Sequence, residues 1–93
     1  SDVVKFLFVK HTGKRADGST NNTTESVFLN AYTGAAAHDL KGSIEIGPSE
    51  CWFGKLSATT VADVHAISGG KAGTGAGSNT IQCIVAAIID DVA

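Results

Sequence analysis

The chain contains no methionine, one proline, one tryptophan, one tyrosine and two cysteines among its 93 residues. Each shortage excludes something. Two cysteines, Cys51 and Cys83, cannot build the disulfide framework of a small secreted scaffold. A single bridge between them stays open beside the favoured reading, buried free thiols in a reducing compartment. Positive charge is also short. The net charge is −2, and Lys14-Arg15 is the one adjacent basic pair, so no field exists to hold a phosphate backbone and no nucleic-acid partner is expected.

No apolar run reaches the ~20 residues of a membrane span, so no membrane is expected. The start, Ser1 to Phe6, lacks a basic segment ahead of a long apolar one. The chain therefore reads as soluble and not secreted, and a leading Ser fits removal of an initiator Met. Without a secretion signal, the glycosylation patterns Asn21-Asn22-Thr23 and Asn22-Thr23-Thr24 carry little meaning.

Chemistry is equally sparse. His11, His38, His65, Cys51 and Cys83 show no CxxC or HxxxH spacing, so no metal and no other cofactor is expected. The histidines stand at a regular interval, but their surroundings do not align into a repeat. Gly75-Ala76-Gly77-Ser78-Asn79 has the wrong order for a nucleophile elbow. Asp63 and His65 would share a strand face, which is more often a solvated contact than a dyad. No catalytic residue emerges, and the chain reads as no enzyme.

What is present is globular: 43% hydrophobic and 17% charged residues, enough for one domain over residues 1–93 with a thin core. Val3 to Lys10 carries apolar residues on both faces, with Val4, Phe6 and Phe8 opposite Val3, Leu7 and Val9, as an inner strand would. His11 to Thr24 is polar, with Asp17-Gly18 at its middle, and reads as a loop. Further strands are expected at Ser26 to Tyr32, Ser43 to Gly47, Glu50 to Leu56 and Thr60 to Ile67. Gly34 to Gly42 has room for one helical turn or irregular chain.

In the last segment, Ile81, Ile84, Val85, Ile88 and Val92 fall at helical spacing, with Ser78 or Asn79 as the cap. Asp90 and Asp91 sit at the wrong end for the macrodipole of such a helix. The fold class read from this order is α+β: a four- to five-stranded, mainly antiparallel sheet packed by one C-terminal helix.

Two features remain as candidate sites. The loop 69–80 offers Gly70, Lys71, Gly73, Gly75 and Gly77 before a helix start at Thr80, the parts of an anion or small-ligand site. Against that, Lys71 precedes most of the glycines and Ser78 stands where a dinucleotide fingerprint needs glycine, so a flexible connection is the plainer reading. Trp52 and Phe53 are either core or interface anchors, and Ile89 lies outside the helical stripe, where it would touch a neighbouring chain.

The order strand, loop, strand, then Ala58-Thr59-Thr60-Val61 and the segment Ile81 to Ile88, resembles small virion-associated proteins of marine tailed phages. The likeness covers organisation over most of the chain; His65 and the glycine loop have no counterpart in it. It implies a capsid-decorating or other head-associated role without catalysis, in the virion or the host cytoplasm, beside other virion proteins. The expected function is therefore a non-enzymatic structural or assembly protein that forms a homo-oligomer. The alternative is a small-ligand or anion-binding domain built on loop 69–80.

Overall fold

A computed structural model describes residues 2–31, 43–78 and 80–90. Six strands account for most of them: β1 (Val3–Arg15), β2 (Glu25–Ala31), β3 (Ile44–Ile46), β4 (Cys51–Thr60), β5 (Val64–Gly70) and β6 (Ile81–Asp90). Single 3-10 turns, Val61–Asp63 and Lys71–Gly73, precede β5 and follow it. The strands form two three-stranded sheets, ordered β4-β1-β6 and β3-β2-β5, with every pairing antiparallel. The chain crosses between the sheets at every connection except β2 to β3.

This overturns the α+β reading. The expected C-terminal helix is β6, and the fold among the described residues is all-β, with two sheets where one was expected. The helical spacing of Ile81, Ile84, Val85 and Ile88 coexists with a period of two, because the segment is apolar on both faces. Five of its ten residues are Ile or Val, which fit a pleated surface better than a helix. The decisive demand is tertiary. As a strand, residues 81–90 pair along the side of β1 that β4 leaves open and complete its hydrogen-bond ladder, which a helix could not do. Gly34 to Gly42, the other candidate for a helical turn, lies outside the described residues.

Inside the sandwich, Val4, Leu7 and Val9 of β1 meet Val27 and Leu29 of β2 and Ile46 of β3, all buried. Trp52, Leu56, Val64, Ile81 and Ile44 close the margins. Burying each large apolar side chain contributes about 1.5–3 kcal/mol. The pairing register of β1 shifts between Val4 and Phe6 against both neighbours, and this irregularity puts Val4 on the same face as Leu7 and Val9. The sequence pattern had placed Val4 with Phe6 and Phe8, which instead face outward.

β1 also runs past Lys10 through residues expected to be loop. His11 is fully buried. Its Nδ1 accepts the Gly13 N–H at 2.9 Å, so Nε2 carries the proton and donates to the Glu25 carbonyl at 3.0 Å. That ring ties β1 to the start of β2. Beyond it, Asp17 organises the tip: its Oδ1 accepts the N–H groups of Ser19 and Thr20, and its Oδ2 the Thr20 hydroxyl. Those bonds, the backbone ones first, lower its pKa to about 2.

Candidate functional site

The solvent side of the β4-β1-β6 sheet is built by strand alternation. Cross-strand partners share a face, so Phe6, Phe8 and Lys10 of β1 stand beside Cys51, Phe53 and Lys55 of β4 and Ile84, Ala86 and Ile88 of β6. Phe6 and Phe53 stack, with ring centroids 5.9 Å apart and planes 13° from parallel. Phe53 is nevertheless 65% exposed, Ile88 62% and Ile84 53%. Between Phe53 and β6 runs a shallow apolar groove of about 230 Å³, floored by Phe8 and Ala86.

The opposite face of β6 is apolar as well. Val85 and Ile89 point to the core side, yet they are 61% and 49% exposed, because the core formed by the described residues does not reach beneath this part of the edge strand. Where Ile81 and Cys83 pass the margin of the second sheet they border a cleft of about 390 Å³ with Val27 and Ala66. An apolar surface that wraps an edge strand in this way is unusual on a monomer.

Of the residues singled out as interface anchors, Phe53 and Ile89 belong to this region, while Trp52 turns inward to the core. Sequence reading missed Phe6, Phe8, Ile84 and Ile88. The signal was available in the apolar character of both faces of β1 and of residues 81–89, but assigning the latter to a helix hid it. Cys51 and Cys83 are free and exposed where buried thiols were expected, since both sit on edge strands. Cys83 borders the cleft, and partial burial there pushes its thiol pKa up.

The glycine loop is held by the chain's own carboxylates. Glu45 Oε2 accepts the Ala72 N–H at 2.9 Å and the Ser26 hydroxyl at 2.7 Å, and Lys71 adds a weaker attraction. Glu25 accepts the Ser78 N–H at 2.6 Å and its hydroxyl at 2.7 Å. Each set of bonds, the backbone N–H foremost, lowers the glutamate's pKa. Gly70 N–H donates to the Gly75 carbonyl, and a Cβ on Gly77 would collide with Ser68 and Glu25. Gly73, with φ +73°, ends the 3-10 turn. Thr80 opens no helix; it leads into β6, and its hydroxyl lies 2.6 Å from that of Ser78. The loop therefore has no helix N-terminus behind it, and two of its amides already bind carboxylates.

Asp63 Oδ2 accepts the Thr60 hydroxyl at 2.9 Å, whereas His65 Nε2 is buried without a partner, so the two do not form a hydrogen-bonded pair. Among the described residues no group of three or more His, Cys, Asp or Glu side chains converges as a metal site. No helix among them is long and apolar enough to cross a membrane. No protein-family model, curated protein or solved structure matches the chain.

Proposed function

We propose that the protein is a non-enzymatic structural component that works by associating with other copies of itself. The observation that carries this reading is the exposed apolar surface running from Phe53 across Phe6 and Phe8 to Ile84 and Ile88. Such a patch is costly to keep in water, and closing it against a like surface recovers about 25 cal/mol for each Å² removed from solvent. The chain is small, so the gain from a partner is large relative to its own margin of stability.

A head-associated place in a virion is one setting for such a subunit. The likeness that pointed there leaned on a terminal helix where the chain has β6, so the proposal rests on the surface alone. The anion-binding alternative gains nothing from the geometry, because Glu45 and Glu25 already take the Ala72 and Ser78 amides of the loop and set negative charge against it.

The test is native mass by light scattering behind a sizing column across a tenfold range of concentration. A stable multiple of the 9.5 kDa chain is expected. A monomer at every concentration would overturn self-association.

A further inference from the structure

Resting on that self-association reading, we infer that two copies join edge to edge through β6, antiparallel about a two-fold axis at Ala86, into one continuous six-stranded sheet. Among the described residues β6 pairs with β1 alone, so its far side presents a row of unpaired backbone groups. The two edges of this sheet are not alike. β4 carries Lys55 and Gly54 in mid-strand, the charge and the weak strand former that natural edges use to deter pairing. From Ile81 to Ile89, β6 carries no charge, no proline and no glycine.

The sequence of β6 is complementary to its own reverse. A two-fold axis perpendicular to the sheet keeps outer faces together. Centred on Ala86, it sets Ile84 opposite Ile88 and Gln82 opposite Asp90 on the outer face. On the other face it sets Val85 opposite Ala87 and Cys83 opposite Ile89. Large apolar groups meet apolar ones, and the single carboxylate meets an amide. Asp90 lies 4.0 Å from Lys5 Nζ on its own chain, so its charge already has a counterion. Sliding the pair by one residue in either direction about the axis sets Gln82 against Ile88 or Asp90 against Ile84, both worse matches. A foreign strand fits the free edge in principle, but the self-complementary pattern selects a second copy. In the paired sheet the two Phe6–Phe53 surfaces lie on one side, forming a wider apolar face for further assembly.

The test places cysteine on the axis. In a Cys51→Ser, Cys83→Ser background, Ala86→Cys brings two thiols onto directly opposed residues, whose Cα atoms lie about 4.5–5.5 Å apart in an antiparallel pair, within the span of a disulfide. Mild oxidation is expected to give a covalent dimer with Ala86→Cys and none with Ile84→Cys. Light scattering on the unmodified chain separates the failures. An oligomer with no Ala86 cross-link overturns the edge pairing and leaves self-association standing; a monomer throughout with no cross-link overturns both. If the Ala86→Cys chain does not fold, amide hydrogen exchange on the unmodified oligomer decides. Protection of the β6 amides that face away from β1 supports the pairing, and free exchange there overturns it.

Discussion

Phe6 and Phe53 stack on the solvent side of their sheet, 5.9 Å apart and 13° from parallel, on neighbouring strands whose other faces build the core. An aromatic pair of this kind is worth about 0.5–1.5 kcal/mol beyond its area, yet it leaves Phe53 mostly in water. The stack therefore presents a flat apolar platform to solvent.

Replacing Phe53 by Asp is expected to lower the native mass to that of the β6-paired dimer, since the edge pairing does not use this face. The fold should survive, with a loss near 1 kcal/mol from the stack, because the residue is mostly in water on the face turned away from the core. Light scattering reads the first effect and urea unfolding the second. An unchanged mass would remove this face from the interface.

His11→Ala should be the more damaging change, about 2–4 kcal/mol in urea unfolding. It leaves a cavity and strands the Gly13 N–H and the Glu25 carbonyl, both paired through the ring. Loss below 1 kcal/mol would mean that water replaces the ring without cost.

Gly77→Ala tests the close approach of the glycine loop to β5. The added methyl would meet the Ser68 backbone at 2.6 Å and Glu25 Oε1 at 2.7 Å, so the loop must shift and weaken the Glu25–Ser78 bonds. A drop in stability of about 1–3 kcal/mol is expected. Gly75→Ala, with open space around it, should be close to neutral in the same assay.

The carboxylates that hold the loop make a pH signature. Glu25 and Glu45 have folded pKa values below the ordinary 4.5, so each contributes stability that is fully present above that value and is lost as pH falls through the folded one. Asp17 behaves alike over a lower window, from 3.8 down to about 2. Unfolding midpoints measured from pH 6 to pH 2 should fall over this range, and a Glu25→Gln, Glu45→Gln double variant should flatten the upper part of the fall. An unchanged profile would show that the loop is held by other contacts.

Part of this architecture is legible in single residues. Val3 to Lys10 announces an inner strand because both its faces are apolar, and Phe28, Leu29, Ile44 and Ile46 fall in strands where the pattern places them. The candidate surface is legible only in fragments, Phe53 and Ile89 among them, since its other members lie on strands that become neighbours through folding. His11 reads as loop because nothing local reveals that Glu25 comes to meet it from fourteen residues away.

The amino-acid sequence by itself determines the want of basic charge and the extended segments from Val3 to Lys10, at Phe28 and Leu29 and at Ile44 to Ile46, because these depend on composition and on contacts between near neighbours. Only the tertiary structure decides the state of residues 81–90. Their apolar pattern satisfies both a period of 3.6 and a period of two, and as a strand they complete the hydrogen-bond ladder of β1 on the side away from β4, which a helix could not do. That choice also brings Ile84 and Ile88 alongside Phe6 and Phe8, and so creates the exposed surface on which the function proposed for this protein depends.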